Sequence, residues 1–304
     1  MATESRHTIV YKSAEGLEIS FDLYLPPNAK AVPILLWFHG GGLLQGHREK
    51  VAPHMLESVN KYNHALISAD YRLAPQVGVQ DIFADINDCI TFIRSPDGLA
   101  AQLKTAADPD ALDTSRLAVS GSSAGGYLAL LAGLYVEPKP QVILPIYPIT
   151  DPLGTFFTTS QPGSSQKTDV DATVQPYLDR NGAVVANNEP GSSRGNMYSY
   201  MLAHANLAEL LHFETKEDPQ HNLSNDKWRV ARQIAKQKLP PAYIVHGTTD
   251  FDVGVEQADE VVGVMVGEGL EVKYERLEGK EHLFDAKDPS EKLESMYEFM
   301  HKYV

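Results

Sequence analysis

An intramolecular disulfide is closed to this chain, because Cys89 is its only cysteine among 304 residues. That usage suits a reducing compartment, so a cytoplasmic location is expected. Cys89 falls mid-pattern in a predicted helix and is expected to be a buried structural thiol. No apolar run approaches the ~20 residues that span a bilayer. The opening segment MATESRHTIVYKS lacks the apolar stretch of a signal peptide, so the mature protein is expected to start there. Lysine and arginine number 26 against 40 aspartate and glutamate, a net charge of −14 with no basic cluster. This argues against a phosphate-backbone partner, and no nucleic acid is expected to bind, since such binding needs grouped cations. No Cys/His cluster has zinc spacing, and neither G-x-G-x-x-G nor a Walker lysine occurs. No metal and no organic cofactor are expected. There is no internal repeat.

What the chain does have is a series of short, wholly apolar runs: Pro33–Phe38, Ala65–Ser68, Leu117–Val119, Val142–Ile146 and Ala242–Val245. Runs of this kind suit strands covered on both faces of a sheet. Between them lie helical patterns, such as Ile82, Phe83, Ile86, Ile90 and Ile93, and later Leu293, Met296, Tyr297 and Met300. Strands alternating with helices predict an α/β fold with a mostly parallel sheet and helices on both faces. Leu17–Leu25 alternates apolar and polar residues and is expected to be an antiparallel edge strand. From Asp151 to Leu239 no buried strand is evident. That stretch, with helical patterns such as Tyr198–Leu211, is expected to form a lid over a site within one domain spanning 1–304. If so, Met201→Ala or Leu202→Ala should alter ester chain-length preference more than stability.

Three serines crowd the segment AVSGSSAGGYLAL, and spacing separates them. Gly121-Ser122-Ser123-Ala124-Gly125 matches G-x-S-x-G with Ser123 at its centre, the turn that holds a nucleophile at the end of a strand. Glycine and serine are common, so the pattern alone could be a plain tight turn. A second motif weighs against that. FHGGGLLQG directly follows PILLWF, and glycines there let main-chain N–H groups approach a developing oxyanion. A nucleophilic serine also needs a base and an orienting acid, which in this fold follow in the order acid, then histidine. Asp250 lies in the loop after AYIV, with Asp252 as a rival, and His282 follows the strand-like run Val272–Leu277. His39 and His246 are expected to be structural, each holding its own loop.

Together HGGG (His39–Gly42), DYRLAP (Asp70–Pro75), GSSAGG (Gly121–Gly126), HGTTD and EHLF resemble the hormone-sensitive-lipase-like esterase group of α/β-hydrolases. The resemblance runs from about Val32 to the C-terminus and is less clear after Asp151. It implies an eight-stranded, mostly parallel sheet, carboxylic-ester hydrolysis, and an oxyanion hole from the N–H groups of Gly41, Gly42 and Ala124. DYRLAP is expected to be a scaffold turn. Three features depart from the group. Ser122 stands where an acidic residue usually precedes the nucleophile, and the acid loop reads HGTTDFDV rather than D-P-L. With a short segment before the sheet, a large N-terminal cap is not expected.

The expected activity is that of a serine carboxylesterase on small or medium esters, with Ser123, His282 and Asp250 as triad. Alternatives keep the same residues: a transesterase or acyltransferase, or a lactone-forming or lactone-opening enzyme of secondary metabolism. A ligand receptor on an inactive hydrolase scaffold is a different class of answer. The expected partner is a small ester, and the oligomeric state stays open, a homodimer included.

Overall fold

Every residue of Val32–Phe38 is buried, yet its alternate side chains enter two different cores. Ile34, Leu36 and Phe38 join one, with Ile82, Ile86 and Leu128; Leu35 and Trp37 join the other, with Met55, Val59, Met296 and Met300. A strand has period two, so a continuous apolar run is what a sheet covered on both faces demands. The computed structural model describes residues 5–14, 16–106, 110–161, 168–189, 191–213 and 225–304.

Eight strands form one sheet: β1 (Ser5–Ala14), β2 (Leu17–Leu25), β3 (Val32–Phe38), β4 (Ala65–Ala69), β5 (Leu112–Ser122), β6 (Val142–Ile146), β7 (Ala242–Gly247) and β8 (Val272–Leu277). Their spatial order is β1-β2-β4-β3-β5-β6-β7-β8. β1 pairs antiparallel with β2, and β2 with β4; the remaining pairs are parallel. Helices α1 (Pro53–Tyr62), α2 (Val79–Arg94), α3 (Leu99–Ala106) and α4 (Ala124–Tyr135) connect the first strands. Cys89 is buried in α2, where desolvation raises its thiol well above the ordinary range and keeps it protonated.

Leu17–Leu25 is not at the edge. Ser5–Ala14 flanks it, pairing from Ser5 opposite Leu25 to Ala14 opposite Leu17, with a register shift between Val10 and Lys12. The polar residues of Ser5–Ala14 obscured its alternation, and the antiparallel direction of β2 is as expected. The first four residues of the opening segment lie outside the described ones.

The topology creates the site. From β3 the chain moves to β4 on one side, then returns to β5 on the other, and leaves β5 toward β6. Connections departing in opposite directions leave a crevice at the carboxyl ends of the paired strands β3 and β5. Phe38 pairs with Gly121, so the loops that follow these two strands face one another.

Between β6 and β7 the described residues of 151–239 form no strand, only short helices such as Thr155–Thr158, Met197–His204 and Leu207–Leu210. Residues 162–167, 190 and 214–224 of that interval lie outside the described ones. The helical pattern at 198–211 is two helices, because Ala205 takes φ 53° and turns the chain.

Candidate active site

β5 ends at Ser122 and α4 begins at Ala124, so Ser123 alone makes the turn. Its φ of 58° and ψ of −117° are strained for a residue with a Cβ. The surroundings hold it there: the Ser123 N–H donates to Ile146 O at 2.9 Å, and its carbonyl accepts from Tyr127 and Ile149. The flanking glycines are required by close approach. A Cβ on Gly121 would lie 2.0 Å from Gly125 O, and one on Gly125 would lie 1.9 Å from Phe38 O. Ser120 donates to Leu144 O and Ser122 accepts from Trp37 Nε1, so both flanking hydroxyls are tied into the scaffold.

Across the crevice, Gly41 and Gly42 take φ of 108° and 68°. A Cβ on Gly42 would meet the Tyr198 ring at 2.4 Å. Among the described residues, the N–H groups of Gly41, Gly42 and Ala124 donate to no other protein atom. Ala124 opens α4, where N–H groups have no partner within the helix. His39 is buried behind this loop, stacked on Tyr71 with centroids 4.3 Å apart. Desolvation pushes its imidazole down to about 4, so it stays neutral. DYRLAP braces the same loop: Tyr71 donates to His39 O, and the Asp70 carboxylate accepts from Arg48 and Asn187.

Asp250 and His282 meet at 2.6 Å, Oδ2 to Nδ1. Asp252, the rival acid, is exposed, and its N–H donates to Asp250 Oδ1. Val253 N–H donates to the same oxygen at 2.8 Å. His246 Nε2 faces two acceptors, Val253 O at 2.9 Å and Asp250 Oδ2 at 3.2 Å, so that nitrogen carries its proton. Burial by itself raises the Asp250 carboxyl. Hydrogen bonds from His246 and His282, the charge of His282 and the Val253 N–H outweigh it and hold the group well below the usual carboxylate range.

Ser123, His282, Gly41 and Asp252 line one cavity of about 480 Å³. Among the described residues no hydrogen bond joins Ser123 to His282. Unliganded sites often leave such contacts long. The segment after β6 closes one side. Asn188 brackets Gly46 through N–H to O at 3.1 Å and through its side chain, and the buried Arg194 donates to Leu44 O and Ala74 O. Tyr198 OH donates to Asp252 O at 2.6 Å. From helix Met197–His204 it is Tyr198 and Ser199 that reach the cavity, whereas Met201 and Leu202 are buried in the core.

Sequence reasoning missed a second buried carboxylate in the cavity wall. Asp285 is fully buried three residues after His282 and accepts from Tyr147 OH at 2.5 Å and from His54 Nε2 at 3.1 Å. Its partners come from the residue that follows β6 and from α1, so no local spacing announces them. Among the described residues no group of three or more His, Cys, Asp or Glu side chains is placed to hold a metal, and no helix is long and apolar enough to cross a membrane.

The BD-FAE model, which describes an esterase-like α/β-hydrolase family, matches residues 21–265. The chain belongs to the BD-FAE family. Ser123 and Asp250 fall inside the matched span and His282 beyond it. Among solved structures the chain resembles a Staphylococcus aureus protein of unknown function (TM-score 0.71, 18% identity, 99% of both chains). It also resembles the Pyrobaculum calidifontis esterase (0.62, 19%, 100% of this chain and 85% of that one). The metagenomic carboxylesterase EstE1 is similar again (0.63, 20%, 99% and 88%). At these identities the likeness concerns the fold, which is that of an α/β-hydrolase. Among curated proteins the chain is similar to the non-reducing polyketide synthases pkbA of Emericella nidulans and Preu6 of Preussia isomera. Each is 26% identical over 91% of this chain. The chain spans only 13% and 14% of the length of these two relatives.

Proposed function

We propose that this protein is a serine carboxylester hydrolase acting through an acyl-enzyme on small or medium esters. The observation that carries the reading is a strained serine sharing one cavity with a histidine whose Nδ1 is bonded to a buried carboxylate. Family and fold support the coarser statement, an esterase-like hydrolase.

In this reading Ser123 Oγ attacks the acyl carbon while its proton passes to His282 Nε2. Asp250, accepting from Nδ1–H, keeps the Nε2 lone pair directed at the serine and stabilises the imidazolium that forms. The carbonyl electron pair moves to oxygen, and the unspent N–H groups of Gly41, Gly42 and Ala124 donate hydrogen bonds to the oxyanion. The bond to the leaving oxygen then breaks as His282 returns the proton to it. Water attacks the acyl-enzyme by the same route in reverse, releasing the acid and restoring the Ser123 hydroxyl. The described residues of 151–239 serve as a cap, on the strength of the contacts that tie Asn188, Arg194 and Tyr198 to the glycine loop and the Asp250 loop.

The test is turnover of short acyl esters together with labelling by a fluorophosphonate. Ser123→Ala should abolish both, and Ser122→Ala should retain substantial activity. Labelling that persists in the Ser123 variant would sink the assignment. A second reading has one observation behind it: the similarity to segments of polyketide synthases favours an acyl-enzyme resolved by an alcohol or amine, intramolecular lactone closure included. Adding competing alcohols or amines to the ester assay separates the two by product.

A further inference from the structure

Tyr147 carries two features that the hydrolytic steps leave unused. Its backbone sits at φ 36°, a strained value for a residue with a Cβ, immediately after β6. Its hydroxyl donates to Asp285, a carboxylate with no exposed surface. Desolvation, reinforced by the charge of Asp285, raises the phenol well above its ordinary range, so it remains a donor. Asp285 is gripped on its other oxygen by His54 Nε2, and His54 Nδ1 bonds Tyr297 OH at 2.7 Å. A buried charge and a strained backbone are both unfavourable, and here they meet at one ring. That ring lies against His282, centroids 4.6 Å apart and planes tilted by 58°.

Taking His282 as the base, as in the reading above, we propose that Tyr147 is a positioning residue for it. The covalent tether at Cγ and the Asp250 hydrogen bond at Nδ1 set the direction of the imidazole, and they leave its residual tilt to be limited by what packs against the ring. A second contact on the ring is needed to hold Nε2 toward Ser123 through two proton transfers. Tyr147 supplies it, and Asp285 with His54 holds Tyr147 in place. The aromatic ring also favours the cationic imidazolium over the neutral form. Both residues also line the cavity, and the role proposed for them is exerted through His282.

Three variants test this: Tyr147→Leu removes the ring, Tyr147→Phe keeps it without the donor, and Asp285→Asn keeps the shape without the charge. Steady-state kinetics on a short ester should show kcat down roughly 30- to 100-fold for Leu and about 3- to 10-fold for Phe and Asn. KM should stay within about threefold in all three, an amount in keeping with removal of a positioning contact. The far-downfield proton resonance of the His282–Asp250 hydrogen bond should broaden in the same order. A folded Tyr147→Leu protein with kcat within twofold of the parent overturns the proposal, as does a loss confined to KM. Should the Leu variant fail to fold, unchanged kcat and an unchanged resonance in the Phe variant overturn it equally. Failure of the parent reading looks different: the unmodified protein would then resist fluorophosphonate labelling.

Discussion

Two buried carboxylates stand beside the same cavity, each bonded to a histidine, and they are built in opposite ways. Asp250 takes two N–H groups from its own loop, at Asp252 and Val253, and two imidazoles, His246 and His282. Asp285 takes two side chains from remote elements, Tyr147 and His54. The histidine on Asp250 opens onto the cavity, whereas the one on Asp285 is sealed by Tyr297. A carboxylate fed by its own loop is positioned for a partner that must be free to gain and lose a proton. One gripped from several sides is a fixture.

The largest effect that can break this contrast is in catalysis. Asp250→Asn removes the charge and offers an amide donor to Nδ1, which favours the wrong imidazole tautomer. A loss of about 10⁴-fold in kcat is expected by analogy with triad acids generally. Asp285→Asn, acting only through Tyr147, should cost no more than about tenfold, as the positioning argument requires. Equal losses in the two variants, measured on one ester under one set of conditions, would erase the distinction.

The same contrast explains what could be read from the chain. Asp250 and His282 were legible because each follows its own strand-like run in the order this fold imposes, and the HGGG and G-x-S-x-G segments are local signals of backbone approach. β3 and β6 were equally plain, since a strand buried on both faces leaves a continuous apolar run. The sequence favoured Asp250 over Asp252 without deciding between them, because the choice depends on which carboxylate turns inward; Asp250 is the one bonded to His282. The Asp285 array joins positions 54, 147, 285 and 297, and contacts of that separation leave no period in the sequence. β1 was missed because its polar residues hide the alternation that pairing with β2 makes use of.

Acid stability sharpens the comparison next. Burial pushes His39 down to about 4 and His64 down to about 3. In the unfolded chain a histidine titrates near 6.5, so between that value and about 4 the unfolded state binds more protons. The stability that neutral burial contributes is therefore present above about pH 6.5 and lost as pH falls through that window. For His39 alone the loss is on the order of 3 kcal/mol. Asp250 follows at lower pH: its folded carboxyl is depressed, so its contribution is present above the unfolded value near 3.9 and fades only as pH drops below it. Denaturant midpoints taken from pH 7 to 3 should show the first loss unchanged in Asp250→Asn and the second reduced. An identical curve below pH 4 in that variant would mean the donors around Asp250 contribute no stability.

The smallest predicted effect on catalysis concerns the proposed cap, and there the structure argues against an expectation from sequence. Met201 and Leu202 were expected to set ester chain length, yet both are buried in the core while Tyr198 and Ser199 line the cavity. Helix Met197–His204 thus divides its work by face. Met201→Ala leaves a void in packed surroundings and should destabilise by about 2–5 kcal/mol, with little change in which ester is preferred. Tyr198→Ala opens space beside Gly42, where the ring now sits against the glycine loop, and frees the Asp252 carbonyl. A pocket discriminates one methylene by roughly 10-fold or somewhat more. The ratio of kcat/KM for a hexanoyl over an acetyl ester should therefore rise by about 10-fold in Tyr198→Ala. Unaltered chain-length preference in Tyr198→Ala, or a shifted one in Met201→Ala, would show that the cap does not shape this cavity through the face turned toward Ser123.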